Sequence, residues 1–278
     1  FSHAFGYIRL CADDGIIFNH DKFQFALENV EFAGFEITLD GYKPLKKLLS
    51  AIQDFPVPKS VTDIRSWFGL VNQISYAFAQ AKIMEPFREL LARKSKLFYW
   101  DDTLDALFSR SKREIIGQAQ GGVRSFNVGR PTCLTTDWSK TGIGFTLTQK
   151  NCRCPPPHLP TCGDDHWNLV FAGSRLTNAA ERRYAPIEGE ALAVVYGLKC
   201  CRMFIMGCPE LIVAVDHKPL TKILNDRELE TSSNPRLLRL KEQSLMYSFT
   251  IIHVPGKSKM MLIADNASRR SLSNTSAS

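Results

Sequence analysis

The chain has 278 residues, of which 44% are hydrophobic and 23% charged, and this composition excludes a disordered or fibrous protein. The length suffices for two compact domains. No apolar run reaches the roughly 18 residues of a membrane span, and no signal-peptide pattern is present. We therefore expect an intracellular protein without a membrane partner. The formal net charge of +7 favours a polyanionic partner.

Two further features of the whole sequence concern its environment and its origin. The eight Cys residues have no regular spacing, which is typical of reduced thiols rather than of a disulfide framework. The first residue is Phe1 rather than Met. We therefore expect a fragment, or a segment processed from a longer polyprotein.

The first 120 residues combine a strand-like segment with helices. Residues 30–39 alternate in hydrophobicity and run into Asp40-Gly41, a dipeptide typical of hairpin turns. Ser60, followed three residues later by Asp63, predicts a capped helix start. Further helices are predicted over residues 86–93, with Pro86 in the first turn, and over residues 101–116. Gly121-Gly122 is the predicted domain boundary.

After this boundary the hydrophobic period changes from helical to alternating. The resulting order of strands and helices predicts a mixed α/β domain. Strands are predicted over residues 133–137, 142–149, 169–174, 211–215 and 249–254, and helices over residues 186–199 and from residue 235 onward. Residues 151–165 form a predicted Cys- and Pro-rich loop.

Four acidic residues of this second half occupy positions that favour a common site. Asp137 and Asp216 each end an apolar strand, where an α/β sheet opens into its binding crevice. Glu190 lies on a helix that must pack on the sheet, and Asp265 begins the segment after the last strand. Converging carboxylates persist mainly where a hard cation such as Mg²⁺ neutralises them. Spacing alone leaves open whether these acids bind metal or are scattered over the surface.

Several motifs, in one order, resemble the RNase H domain of Gypsy-type LTR retrotransposons. The family's first-strand motif resembles residues 136–145, TDWSKTGIGF. Its catalytic helix resembles residues 181–184, ERRY, followed by residues 188–193, EGEALA. Its two last motifs resemble residues 215–220, VDHKPL, and the segment from VPGK at 254–257 to ADNASR at 264–269. The resemblance implies an RNase H-like mixed sheet flanked by helices.

The resemblance also implies an activity and a set of catalytic residues. The family cuts the RNA strand of RNA–DNA hybrids by two-metal hydrolysis, which leaves a 3′-hydroxyl and a 5′-phosphate. Its four metal-binding carboxylates correspond to Asp137, Glu190, Asp216 and Asp265, with two Mg²⁺ ions or alternatively Mn²⁺. Glu188 competes with Glu190 for one position, and we prefer Glu190 because it directly precedes the apolar run at 191–193. On a helix the two side chains point roughly 200° apart.

Residues 30–100 resemble the end of the reverse transcriptase palm and the thumb that precede this RNase H in such polyproteins. The implied domains are the end of the palm with a primer-grip hairpin over residues 1–45, a mainly helical thumb over 46–120, the RNase H-like domain over 121–270 and a disordered tail over 271–278. Primer-template nucleic acid is then a second implied partner. The implied location is a cytoplasmic retroelement particle. Asp13-Asp14 does not match the polymerase pair, which we expect upstream of Phe1.

Several interpretations stay open at this stage. The alternative function is a non-catalytic nucleic-acid-binding module derived from a retroelement. The loop residues Cys152, Cys154, His158, Cys162 and His166 offer ligands for zinc, although their spacing favours a solvated insertion. We predict a supporting role beside the metal for His217 and a structural role for His253. The basic stretch 110–113 is predicted to be a solvated helix face, with contact to nucleic acid as the alternative. Nothing in the sequence specifies an oligomeric state.

Overall fold

The computed structural model describes residues 1–77, 81–91, 98–152, 166–226 and 234–255. The α-helices are α1 (Ser2–Asp13), α2 (Lys46–Gln53), α3 (Val61–Gln73), α4 (Ala81–Arg88), α5 (Asp102–Ala119), α6 (Pro186–Cys200), α7 (Arg202–Ile205), α8 (Lys218–Asn225) and α9 (Pro235–Ser244). The strands are β1 (Asn29–Phe32), β2 (Phe35–Thr38), β3 (Gly41–Pro44), β4 (Val123–Arg124), β5 (Thr132–Trp138), β6 (Gly142–Lys150), β7 (Trp167–Leu176), β8 (Leu211–Val215) and β9 (Thr250–His253).

The first sheet is an antiparallel meander of β1, β2, β3 and β4. Residues 30–39 were predicted as one continuous strand, and this prediction is wrong. A two-residue turn at Ala33 and Gly34, with φ of 51° and 89°, separates β1 from β2. Such a turn needs positive φ at both positions, and the apolar alternation continues across it because Phe32 pairs with Phe35. The predicted hairpin is present, but its turn is shifted by one residue: Thr38 pairs with Gly41, so the turn residues are 39 and 40 rather than Asp40-Gly41.

The helices of the first half pack around a core of aromatic side chains. The predicted start of α3 is confirmed, because the Ser60 hydroxyl accepts a hydrogen bond from the amide of Asp63 at 3.2 Å. The predicted helix over residues 101–116 is α5. In the core between them, the Trp67 and Phe108 rings lie 4.9 Å apart, centroid to centroid.

Two features of this helical part differ from the sequence prediction. The helix predicted to start at Pro86 is α4, which begins at Ala81 and ends at Arg88. Pro86 lies inside α4 rather than in its first turn, so the helix lacks the hydrogen bond that an N–H at this position would make. Hydrophobic periodicity predicted neither α1 nor α2. Cys11 is the buried residue that α1 contributes, so its sequence carries no strong core-facing stripe.

The second sheet has five strands in the order β7-β6-β5-β8-β9. Strand β8 runs parallel to both β5 and β9, whereas β6 is antiparallel to its two neighbours. All residues of β5 and β6 are buried, which identifies them as central strands covered on both faces. Helices α6, α8 and α9 pack against this sheet. The predicted fold, a mixed sheet flanked by helices, is confirmed.

The two halves of the molecule meet along β7. The 3₁₀ turn Ser75–Ala77, helix α4 and strand β4 all contact this strand. Leu169 of β7 also packs against the core of the first half. Strand β4 lies beyond Gly121-Gly122, so the first sheet continues past the predicted boundary. Among the residues with a described structure, no helix is both long and apolar enough to cross a membrane.

Candidate active site

Two of the four predicted acids stand at the ends of neighbouring parallel strands. The register of β5 and β8 pairs Thr132 with Leu211 and continues to Thr135 with Ala214. Continued for two residues, the same register sets Asp137 opposite Asp216. Asp137 is completely buried at 0% exposure, and Asp216 directly follows β8 and is half-buried. The carboxyl ends of these strands therefore bring both side chains to one edge of the sheet.

Helix α6 supplies the third acid because it approaches β5 closely. At Gly189 an added Cβ atom would lie only 2.2 Å from the indole ring of Trp138. No residue other than glycine fits between the helix and this ring without displacing it. Glu190, the next residue, is 4% exposed and lies in the resulting interface with the sheet.

The three acids form a compact cluster. One carboxylate oxygen from each of Asp137, Glu190 and Asp216 lies within 4.8 Å of the other two. Carboxylates at such distances repel each other, and a hard divalent cation relieves that repulsion. The donor set, which consists of oxygens only, fits Mg²⁺ or Mn²⁺ better than a softer metal. Asp265, the fourth predicted ligand, lies outside the described residues.

Glu188 does not join this cluster, and its carboxylate has other partners. It accepts hydrogen bonds from the Ala185 amide at 3.0 Å, from Asn234 Nδ2 at 2.9 Å and from Arg236 Nη1 at 2.8 Å. Burial by itself raises the pKa of this carboxyl, but the three hydrogen bonds outweigh burial and the net pKa is lowered. Glu188 is therefore held as a carboxylate that faces α9 rather than the acid cluster.

The two histidines near this edge differ in their surroundings. His217 is half-buried and occupies the N-cap position of α8, next to Asp216. His253 pairs with Val215 at the end of β9, and its side chain is exposed. Any structural role of His253 therefore comes from its backbone pairing with Val215 and not from its side chain. The supporting role of His217 stays a prediction.

The predicted zinc ligands fall largely outside the described part of the chain. Three of the five lie outside the described residues, namely Cys154, His158 and Cys162. The structure therefore does not test the zinc prediction. The ends of the segment do meet, because the Asn151 amide donates to the His166 carbonyl at 2.7 Å.

The other charged stretches singled out in the sequence have ordinary structural surroundings. In the stretch 110–113, Arg110 pairs with Glu114 at 3.0 Å. Lys112 donates to the carbonyls of Gln53 and Phe55, so this side chain joins α5 to the end of α2 rather than facing solvent alone. The pair Asp13-Asp14 is exposed at the end of α1.

Sequence reasoning missed the residues that surround Glu188. Asn234 and Arg236 lie 46 and 48 positions away along the chain. The Arg236 guanidinium also lies over the Tyr184 ring, 4.2 Å from its centroid. No periodicity or motif links these positions, and the capping-type sequence of Asn234-Pro235 was the only available signal, since it marks the start of α9.

Comparison with known proteins agrees with this architecture. Residues 127–247 match the family model of the RNase H-like domain found in reverse transcriptase. The chain is 26% identical over 280 residues to the retrovirus-related Pol polyprotein from transposon gypsy of Drosophila melanogaster, covering 97% of this chain and 25% of the polyprotein. It is 29% identical over 262 residues to the corresponding polyprotein from transposon opus of the same organism, covering 90% and 24%.

A solved structure extends the likeness to the fold. The foamy viral protease-reverse transcriptase in complex with RNA/DNA hybrid superposes with a TM-score of 0.66 at 13% identity, covering 90% of this chain and 31% of that one. The chain spans about a quarter of the length of the curated relatives it matches. Residues 127–247 thus form an RNase H-like domain of the kind found in reverse transcriptase, and most of the chain is homologous to the Pol polyproteins of gypsy and other retrotransposons.

Proposed function

We propose that the chain is an RNase H endonuclease that cuts the RNA strand of RNA–DNA hybrids, as part of a retrotransposon reverse transcriptase. The observation that carries the proposal is the cluster of Asp137, Glu190 and Asp216 at the edge of an RNase H-like sheet. A domain that served only as a scaffold would have no need to bury two acids beside a third. The relatives named above are Pol polyproteins, which supports the same assignment.

Asp137, Glu190 and Asp216 would hold two Mg²⁺ ions, with Asp265 as the proposed fourth ligand and Mn²⁺ as an alternative metal. When bound, such ions supply an activated water and charge stabilisation for the leaving oxygen of a phosphodiester. The role of the chain itself is to hold the carboxylates in place before substrate arrives. Buried strands on both sides of Asp137 and the tight packing of Gly189 on Trp138 restrict their movement.

The surface around the acids suits a nucleic-acid duplex. Four exposed basic residues follow the strand ends at this edge: Lys140 after β5, Arg182 and Arg183 after β7, and Lys218 after β8. They can contact the phosphates of the DNA strand, while 2′-hydroxyl contacts across the minor groove would select the RNA strand. The foamy viral structure named above holds an RNA/DNA hybrid, which supports this choice of substrate.

The part of the chain before the RNase H-like domain is proposed to bind primer-template. Residues 1–45 would be the end of a reverse transcriptase palm and residues 46–120 its thumb. The RNase H-like domain would then extend over residues 121–270, apart from β4, which pairs with the first sheet, and the tail over 271–278. Similarity to the gypsy polyprotein over 97% of this chain supports a Pol origin for these residues as well. The proposed place of action is a cytoplasmic retroelement particle.

Cleavage of a labelled RNA–DNA hybrid tests the enzyme proposal. The chain is incubated with Mg²⁺, with Mn²⁺ or with EDTA, beside the variant Asp216→Asn. Glu210→Gln is the matched control, because Glu210 is an exposed acid that precedes the other end of the same strand. We expect cleavage of the RNA strand alone, retained by Glu210→Gln and reduced by about 100- to 1000-fold in Asp216→Asn, since metal stabilisation of the transition state is worth several kcal/mol.

Binding of the hybrid without cleavage would contradict the enzyme proposal. A folded protein that binds the hybrid, with or without EDTA, but never cuts it with either metal would overturn the enzyme proposal. The chain would then be a non-catalytic nucleic-acid-binding module of retroelement origin.

A further inference from the structure

The first turn of α6 carries a buried acid that belongs to a second network. Glu188 is 7% exposed, and both of its carboxylate oxygens accept hydrogen bonds. One donor, the Ala185 amide, belongs to the start of α6 itself. The other two, Asn234 and Arg236, belong to the start of α9. A single carboxylate therefore joins the N-terminal ends of two helices.

The residues of α9 that bind Glu188 are themselves held in place. The Asn234 carboxamide oxygen accepts from the Arg236 and Leu237 amides at 2.9 and 3.3 Å, while its nitrogen donates to Glu188. The Arg236 guanidinium is held between the Glu188 carboxylate and the face of the Tyr184 ring. Tyr184 directly precedes the N-cap of α6. Contacts with the starts of both helices therefore leave the Glu188 side chain little conformational freedom.

The position of Glu188 relative to Glu190 gives the network a consequence for the acid cluster. Two residues along an α-helix correspond to a rotation of roughly 200°, so the two side chains leave the helix on nearly opposite sides. Fixing Glu188 toward α9 therefore fixes the rotation of α6 about its own axis. At that rotation Glu190 meets Asp137 and Asp216.

We infer that Glu188 is a positioning residue, which acts through Asn234 and Arg236 to hold Glu190 at the metal-binding cluster. The inference rests on the proposed function, because it requires that the cluster bind a divalent cation. Groups that orient metal ligands typically change metal affinity or activity by about 10- to 100-fold when they are removed. An ion pair that only stabilised the fold would leave the metal affinity of the folded protein unchanged.

The test measures Mn²⁺ binding to the full chain by titration calorimetry, well below the unfolding temperature. The variants are Glu188→Gln, Arg236→Met and the double variant. We expect each single variant to raise the Mn²⁺ dissociation constant by about tenfold. The double variant should add little to either single change, because both remove the same contact.

Comparison of Glu188→Gln with Arg236→Met separates a positioning effect on Mn²⁺ binding from a purely Coulombic effect. Arg236→Met removes a positive charge from the protein, so a purely Coulombic effect would strengthen Mn²⁺ binding, whereas loss of positioning weakens it. Glu181→Gln is the matched control, since Glu181 is also a buried acid, in a bidentate pair with Arg175 at 2.7 and 2.8 Å. It lies before α6 and should leave the Mn²⁺ dissociation constant unchanged.

Each outcome decides between the two proposals. If the unaltered chain binds Mn²⁺ and both single variants bind it equally well, the positioning role is wrong and the metal site stands. Stronger binding by Arg236→Met likewise overturns positioning in favour of a charge effect. If the folded, unaltered chain binds no Mn²⁺, the proposed function and this inference both fail. Should Glu188→Gln not fold, Arg236→Met alone tests the inference, because it leaves Glu188 and its bond to Ala185 in place.

Discussion

Two regions of the molecule differ in how far their large apolar side chains are buried. Residues 1–45, here called the N-terminal region, expose many of them, whereas the RNase H-like domain buries them in its core. In the N-terminal region Ile17 is 94% exposed and Phe23 48% exposed. Its aromatic rings mainly contact each other, as in the stacked pair Phe23 and Phe25, 6.3 Å apart. In the RNase H-like domain Phe145 is 1% exposed and lies in a core shared by the sheet and its helices.

This difference shows that an apolar residue stabilises a fold only where a second layer covers it. Strands β5 and β6 are covered on both faces, whereas the outer strand β1 buries none of its four residues completely. Exposed apolar surface of this extent usually marks a contact surface. We therefore expect the N-terminal region to tolerate substitutions that the RNase H-like domain cannot.

The largest expected effect is on the free energy of unfolding, when one Phe→Ala substitution is made in each region. Phe145→Ala should lower the free energy of unfolding by about 3–5 kcal/mol, because it leaves a cavity in a close-packed core. Phe23→Ala should change it by less than about 0.5 kcal/mol, as is usual at exposed positions. Urea unfolding followed by circular dichroism measures both values. Equal losses in the two variants would mean that the N-terminal region has a core of its own.

Two Gly→Ala substitutions, whose expected effects on stability are of intermediate size, extend the comparison. Gly189→Ala forces a methyl group against the Trp138 ring and should cost about 1–3 kcal/mol by overpacking. It should also lower hybrid cleavage, because α6 carries Glu190. Gly6→Ala in α1 meets no atom within 4 Å and should stabilise the protein by up to about 1 kcal/mol, since alanine favours a helix. Thermal unfolding and the cleavage rate are the two measurements. A harmless Gly189→Ala would contradict the close packing of α6 on β5.

The smallest expected effect is a dependence of stability on pH. Hydrogen bonds from Arg175 lower the pKa of Glu181 against the opposing effect of burial. For Glu188, burial raises the pKa but hydrogen bonds from Asn234, Ala185 and Arg236 more than compensate. A carboxyl whose pKa is lowered by folding stabilises the protein above its ordinary pKa, and this stabilisation is lost as the pH falls through the folded value.

We therefore expect the thermal stability of the RNase H-like domain to fall as the pH drops below about 4.5, the ordinary pKa of a glutamate, and to fall less steeply in the double variant Glu181→Gln, Glu188→Gln. Pairs with partly exposed arginines are worth at most about 1 kcal/mol each. In the N-terminal region, Glu36 forms a partly exposed pair with Lys43 at 3.1 Å, and Glu36→Gln is the matched control variant. Parallel profiles for all variants would show that neither buried pair contributes to acid sensitivity.

Local signals in the sequence were sufficient for much of the second half. The buried strands β5 and β8 were predictable, β5 from its alternating period and β8 as a short apolar run, and Asp137 and Asp216 were named because each stands at the end of its strand. Around residues 33–34 the same approach failed, because the alternation of side chains continues across a two-residue turn. It also failed for α1, in which Cys11 is the residue buried in the described structure.

The sequence by itself determined the order of the five strands of the second sheet, the helices α6 and α9 among them, the likeness to a retrotransposon RNase H and three acids that meet at one sheet edge. Helices α7 and α8 were not predicted from it. The tertiary structure alone decided which partners surround Glu188 and how closely α6 approaches Trp138. The reason is physical: periodicity and capping act over a few neighbouring residues, whereas Glu188 meets Arg236 across 48 positions of the chain. Contacts of that kind exist only after the sheet and its helices have packed.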